Sequence, residues 1–422
     1  MKSVRISHPG GPLKGSFHLS GSKSISNRVL ILTALALEGK AATDFNNIND
    51  NISNLSSSVD TQTLLKLLRE NKTGVEELDA HHAGTTFRFL TAYLCLQPGV
   101  QILTGSDRMK KRPIGPLVEA LKEIGAEIDY AGQPGYPPLR IGGITGEKNN
   151  RIKLRSDVSS QFVSALCMVA PLLERGLTIE LVGEVVSRPY VDMTLSLMKA
   201  YGVEVKNHKD TISILPQVYT NRNYTVESDW SSASYFFSLA CIAPGSELQL
   251  TAYLGQALQG DSFMMQLGEF FGVESRLDGT TLKLHSGVQL ERDLAFDFIN
   301  QPDLAQTVAV MAAAQNRTIY YGGLQTLKIK ETDRVAALAT ELSKVGVQLS
   351  EIKGDFEAWT YKQEGQMRID NPIFETYHDH RMALAFAPLG YLAPIEIKNP
   401  KVVEKSYPEY WKDLETLGFR LE

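Results

Sequence analysis

The sequence predicts an α/β protein of two similar domains, each assembled from three copies of one unit. Three observations carry that prediction. First, an amphipathic helix that ends in glycine recurs along the chain, the glycines being Gly74, Gly125, Gly202, Gly272, Gly346 and Gly418; successive positions differ by 51, 77, 70, 74 and 72 residues. Glycine at that point supplies the left-handed residue that terminates a helix. Second, a different helix, apolar almost all round, alternates with the first. Third, short alternating segments fill the gaps as strands.

The Gly-ended helices fall at 63–78 (a looser copy), 117–128, 194–205, 263–275, 334–349 and 410–422. The all-round apolar helices fall at 24–37, 85–97, 160–173, 232–243, 303–315 and 379–390, each opening on a Ser, Thr or Asp that can cap the free backbone N–H groups of a first turn. A helix apolar on every side is an interior helix. Strands are expected at 152–154, 178–181, 248–251 and 318–321, so the unit reads strand, buried helix, strand, amphipathic helix, strand. The composition breaks near 221–229, and the Asn/Ser-rich stretch 46–58 is expected to be a surface loop in an irregular first unit.

With 422 residues the chain is too long for one core. Lys+Arg 43 against Asp+Glu 48 leaves a net charge of −5, which excludes a nucleic-acid or membrane-surface binder relying on bulk positive charge. Only three cysteines occur, Cys95, Cys167 and Cys241, each in an apolar run, so a disulfide framework and a thiolate metal cluster are both excluded. A reduced, cytoplasmic setting is expected, since no apolar stretch is long enough to span a bilayer and residues 1–10 lack the apolar core of a signal peptide.

The chemistry concentrates where the buried helices begin. Those starts read GSKSISNR at 21–28, AGTTFR at 83–88, SSQ at 159–161, DWSS at 229–232, PD at 302–303 and HDHR at 378–381. A helix N-terminus already carries partial positive charge, so Lys23, Arg28, Arg88 and Arg381 in first turns are electrostatically unfavourable unless an anion sits between them. Two further basic clusters, RMKKRP at 108–113 and KIKETDR at 328–334, precede amphipathic helices, and the second sets Lys330 beside Glu331 as a candidate acid/base pair. His378 and His380, with His81 and His82 elsewhere, lack a third ligand at metal spacing. No nucleophile elbow, Walker loop or dinucleotide fingerprint is present.

At these residues the chain resembles the enolpyruvyl transferases that act on shikimate-3-phosphate, over essentially its whole length. The likeness is carried by GSKSISNR, AGT with Arg88, RMKKRPIG at 108–115, VSSQF at 158–162 and VSRPYVD at 186–192, and continues through DWSSASY at 229–235, KETDR at 330–334, DHRMA at 379–383 and KSYP at 405–408. The resemblance implies two domains, each of three βαβαββ units with buried helices (an inside-out α/β barrel), and an active site in the interdomain cleft that closes on its ligands. It implies boundaries of 20–228 for the shikimate-3-phosphate side, and of 1–19 plus 229–422 for the side of phosphoenolpyruvate (PEP) and proton transfer. It also implies a monomer that needs no metal or cofactor and acts in aromatic amino-acid synthesis.

Carried over residue by residue, the likeness implies shikimate-3-phosphate contacts from Lys23, Ser24, Arg28, Ser159, Ser160, Gln161, Ser187, Tyr190, Asp303, Thr326 and Lys330. It implies PEP contacts from Lys23, Gly84, Arg88, Arg112, Gln161, Arg334, Arg381 and Lys405. Lys23, Asp303, Lys330 and Glu331 are the implied catalytic groups, with Asp303 accepting the 5-hydroxyl proton. Three positions depart from the family's familiar pattern: His82 stands for Asn, Phe89 for Pro, and Thr326 for an Asn contact. The first two bear on the shape of the PEP pocket and on sensitivity to the herbicide glyphosate.

The physical logic is independent of the likeness. Two anionic substrates repel unless cations lie between them, and arginine forks suit both phosphate and carboxylate. The sister enzyme acting on UDP-N-acetylglucosamine is expected to carry a loop cysteine, absent from 108–112 here. A non-catalytic anion binder would have no need of Asp303, Lys330 and Glu331 together, and an RNA-end phosphate cyclase should show a basic nucleic-acid face.

Overall fold

The computed structural model describes residues 2–39, 42–155, 159–183, 186–288, 294–352 and 360–422, apart from the side chains at 42 and 43. Val158, the first residue of the VSSQF motif, lies outside the described residues. The chain forms two compact units, Lys23–Val226 and Met1–Ser22 with Glu227–Glu422, so the first is inserted into the second.

In the inserted unit one complete repeat runs Glu77–Asp79, helix Gly84–Leu94, Gln101–Thr104, helix Gly115–Ile124, Ala126–Tyr130 and Leu139–Ile144. Its first two strands pair in parallel, Leu78 opposite Leu103, and the remaining pairs are antiparallel. This βαβαββ order recurs from Arg151–Arg155 to Thr211–Ile214, around helices Ser160–Val169 and Arg188–Ala200. The irregular repeat, around helices Lys23–Ala36 and Val59–Lys72, has a two-stranded parallel sheet of Ile52–Ser53 and Tyr224–Thr225.

Among the described residues, the other unit holds three four-stranded sheets. One is built from a single run of chain, Leu294–Asp297 to Tyr361–Gly365. The other two each borrow a strand from the N-terminus. Lys14–His18 pairs in parallel with Glu247–Thr251, and Ser3–Ser7 lies antiparallel between Ile395–Lys398 and Arg420–Leu421.

The helices separate as their periodicity requires. Trp230–Ile242 and Ala305–Ala314 are buried at every residue but one each, Cys241 and Ala314. Burying each Leu, Ile or Phe on such a helix contributes about 1.5–3 kcal/mol. The six helix-ending glycines all have positive φ, from 73° at Gly272 to 124° at Gly125.

Two expectations fail. The stretch 46–58 is not simply a surface loop: Ile48 and Ile52 are buried, and so are Ser56 and Ser58, which bond to each other and, through the Ser56 N–H, to Ser26 Oγ at 3.0 Å. The two buried serines satisfy each other's hydroxyls, while Asn46, Asn47, Asp50, Asn51, Ser53 and Ser57 are exposed as expected. The caps also differ. Helix Gly84–Leu94 starts one residue before Thr85 with no side-chain cap, Asp229 rather than Ser232 caps Trp230–Ile242, and Ser159 caps Ser160–Val169.

Candidate active site

In the inserted unit the expected residues sit at helix starts. Lys23 is the first residue of Lys23–Ala36, and its Nζ lies 3.6 Å from Asp60 Oδ2. Arg28, one turn on, is 1% exposed and donates to four groups: Thr194 Oγ1 at 2.6 Å, the Ser24 carbonyl at 2.9 Å, the Tyr190 carbonyl at 3.1 Å and Ser164 Oγ at 3.2 Å. The Phe89 ring supports its guanidinium from 5.2 Å. Burial lowers the Arg28 pKa to about 10, with Tyr190 opposing, so the group remains a cation at neutral pH. The geometry thus ties the half-buried Ser24 and Tyr190 to the buried Arg28, and puts Phe89 beneath Arg28.

Gly84 begins its helix between two guanidinium groups. Arg88 Nη1 donates to the Gly84 carbonyl at 2.9 Å. A Cβ added at Gly84 would meet Arg112 Nη1 at 2.5 Å and Arg88 Nη1 at 2.8 Å. Only the absence of a side chain lets both arginines reach this helix start. On the neighbouring helix, Ser159 Oγ accepts from the Gln161 N–H, and Gln161 Nε2 donates to Thr85 Oγ1 at 3.0 Å. Ser187 holds a left-handed φ of 55° immediately before helix Arg188–Ala200, a conformation disfavoured for serine and of the kind that gathers at working sites.

In the other unit Asp303 is the centre. It lies in the 3₁₀ turn Pro302–Leu304 and caps no helix; instead its two oxygens take Arg334 Nη1 at 3.0 Å and Arg381 Nη2 at 2.7 Å. Arg334, 2% exposed at the start of Arg334–Ser343, also donates to Asp379 Oδ2 at 2.7 Å and Glu331 Oε2 at 2.9 Å. Glu331 is shared with Lys405, whose Nζ is 2.7 Å from Oε1. Asp303, Glu331, Arg334, Arg381 and Lys405 therefore form one connected cluster. Lys330 acts on Asp303 through space. The buried Thr326 hydroxyl has no partner among the described residues.

The electrostatics follow from this. Burial alone would raise the Asp303 pKa, but Arg381, Arg334 and Lys330 outweigh it and hold the carboxyl well below the usual carboxylate range. Burial likewise opposes the charge on Arg334, and Asp379, Glu331 and Asp303 overcome it, so its proton is held more firmly than in free arginine. The cluster is a fixed carboxylate among permanent cations, and it has the types needed to take one proton and supply another.

The sequence profile of EPSP synthase (3-phosphoshikimate 1-carboxyvinyltransferase) matches residues 7–414. The chain belongs to the EPSP synthase family. The 3-phosphoshikimate 1-carboxyvinyltransferase of Bacteroides fragilis (strain YCH46) is 44% identical over 415 residues, covering 97% of each chain. The Vibrio cholerae serotype O1 (strain M66-2) protein of the same name is 37% identical over 419 residues, covering 94% of this chain and 96% of the other. A solved EPSP synthase from Acinetobacter baumannii superposes with a TM-score of 0.78 over the full length of both chains, at 22% identity, so it shares the fold.

Three acidic residues with structural claims on the site went unassigned by sequence reasoning. Asp379 holds Arg334 and caps the helix bearing Arg381. Asp60 faces Lys23, and Asp261 is buried behind Arg381. Asp379 lies inside the DHRMA motif and could have been found there. Asp60 and Asp261 stand in bland surroundings, and only tertiary structure exposes their partners.

Proposed function

We propose that this chain transfers the enolpyruvyl group of PEP to the 5-hydroxyl of shikimate-3-phosphate with release of phosphate, a step of aromatic amino-acid synthesis. The family match over residues 7–414 carries this reading, and the held carboxylate Asp303 gives it chemical substance.

Lys23, Ser24, Arg28, Ser159, Ser160, Gln161, Ser187, Tyr190 and Thr326 hold shikimate-3-phosphate. Gly84, Arg88, Arg112, Arg334, Arg381 and Lys405 hold PEP, with Lys23 and Gln161 touching both. Protonation of the PEP methylene, from Lys330 or Glu331, leaves a cationic C2. The 5-hydroxyl attacks it and passes its proton to Asp303, which two arginines keep ionised. The tetrahedral adduct then loses phosphate together with a methyl proton, restoring the double bond and returning the proton first taken up.

No metal or organic cofactor enters these steps. We place the protein in the cytoplasm as a monomer. Among the described residues, no helix is long and apolar enough to cross a membrane. The thiol chemistry expected of the UDP-N-acetylglucosamine enzyme has no counterpart here. Burial raises all three cysteine pKa values, to about 12 at Cys167 and Cys241 and further at Cys95.

The test is direct. Purified protein given PEP and shikimate-3-phosphate should release inorganic phosphate and form the enol ether. Release with UDP-N-acetylglucosamine and none with shikimate-3-phosphate would overturn the proposal.

A further inference from the structure

We propose that Asp261 is a positioning residue for the reaction: acting through the Ser231 hydroxyl, it fixes the Arg381 guanidinium beside Asp303. The inference rests on the reading of Arg381 as a PEP contact.

Asp261 lies in the 3₁₀ turn Gly260–Phe263 and is completely buried. Ser231, at the start of helix Trp230–Ile242, donates its hydroxyl proton to Asp261 Oδ2. A hydroxyl has one proton and two lone pairs. With the proton committed to Asp261, the Ser231 oxygen faces its other neighbours as an acceptor. It takes Gln259 Nε2 at 3.0 Å and Arg381 Nη2 at 3.3 Å.

The direction of this chain is fixed by the backbone. Gln259 Oε1 accepts the Trp230 N–H at 3.0 Å, which turns the amide nitrogen toward Asp229 Oδ1, Ser231 Oγ and Asp261 Oδ2. Ser231 therefore receives a donor from Gln259 and must send its own proton to the carboxylate. Arg381 gains a second hold, opposite the 2.7 Å contact from the same Nη2 to Asp303 Oδ2, while Nη1 reaches Tyr235 Oη and the Asp303 carbonyl, each at 3.3 Å.

Without the carboxylate, the Ser231 proton is free to turn toward the guanidinium, where it opposes Arg381 instead of accepting from it. The arginine would then keep its contacts to Asp303 and Tyr235 but lose the acceptor at Ser231. A carboxylate rather than an amide also supplies charge. Asp303 shares its charge between Arg334 and Arg381, and Asp261 is the second carboxylate acting on Arg381. The charged groups facing Asp261 are Asp303, Arg381 and Asp229. Burial, reinforced by Asp303, pushes its pKa up to about 7 against the pull of Arg381 and Ser231. Its charge is thus present above neutrality and fades below it.

The test uses the full chain with S231A, D261A and D261N, varying each substrate separately between pH 6 and pH 8.5. Loss of a bond to a charged group should raise KM for PEP about tenfold or more in S231A and D261A, with KM for shikimate-3-phosphate within about twofold of wild type. D261N, which keeps an acceptor oxygen but cannot ionise, should match wild type at pH 6 and fall behind at pH 8.5. An unchanged KM for PEP in all three variants, in a wild-type background that turns over both substrates, overturns the inference. If wild-type protein uses neither substrate, the reading of Arg381 fails, and crystal structures of D261A and S231A still decide the positioning. Arg381 rotated off position 231 in D261A upholds it, and an unmoved guanidinium in both overturns it.

Discussion

The Asp379 carboxylate grips the Arg334 guanidinium along one edge, Nε to Oδ2 at 2.7 Å and Nη2 to Oδ1 at 3.3 Å. The same carboxylate accepts the Arg381 N–H at 2.9 Å as a helix cap. One buried acid therefore sets the position of both arginines that flank Asp303. Removing one partner of a buried pair costs about 3 kcal/mol or more, because the other charge stays behind. Asp379→Ala should lose about that much stability in urea unfolding and nearly all phosphate release. A variant as stable and as active as wild type would show that Arg334 needs only Asp303 and Glu331.

Asp303 is proposed to accept a proton, and loss of a general base costs about 10²–10⁴ in rate. Asp303→Ala should therefore cut kcat by that factor. Because Asp303 also neutralises Arg334 and Arg381, its removal leaves more positive charge for the anions. Binding of PEP, measured by calorimetry, should be unchanged or tighter. Weakened binding with normal turnover would reverse the assignment.

Gly84→Ala puts a methyl group 2.5 Å from Arg112 Nη1 and 2.8 Å from Arg88 Nη1. Both atoms are the ends of long side chains, so the helix should survive, since alanine is the better helix former. The guanidinium groups should move instead. The expected result is a melting temperature near that of wild type with KM for PEP raised about tenfold, the size of one charge-assisted hydrogen bond. An unaltered KM would mean that neither arginine meets PEP here.

Glu227 is buried, and burial pushes its pKa up to about 7 despite hydrogen bonds from the Leu258 and Gln259 N–H groups. An acid whose pKa is raised by folding contributes most below its unfolded value, near 4.3, and that contribution is lost as pH rises through about 7. Wild-type stability should accordingly fall across that window. In Glu227→Gln the fall should shrink by about 3 kcal/mol between pH 4.5 and pH 8. Parallel stability curves for the two proteins would remove Glu227 as the cause.

The repeat was legible in the sequence because its marks are local. A glycine after an amphipathic helix needs no tertiary partner to be read, and all six such glycines are left-handed. Arg334 was legible as a helix start for the same reason, and Lys23 and Gly84 fell one residue before the starts read at Ser24 and Thr85. The partners of Asp303 were not legible. It looked like a cap for its own helix, yet its oxygens go to arginines 31 and 78 residues away. Asp261 and Ser231 stand 30 residues apart, and neither carries a mark of the other. Charge types survive in sequence; their pairings are a property of the fold.

Strand Ser3–Ser7 is an inner strand of a sheet whose other members begin at Ile373, and the Arg5 N–H donates to the Glu422 carbonyl at 2.8 Å. The order of events during synthesis follows. The inserted unit can gather as soon as residue 226 has emerged, and Lys14–His18 finds its partner at Glu247–Thr251 soon after, whereas Ser3–Ser7 must wait, unpaired, for the last strands. Closing so long a loop adds little entropy, since the cost grows only with the logarithm of length. The exposure in time is the larger burden, because an edge-ready strand is a template for the wrong partner.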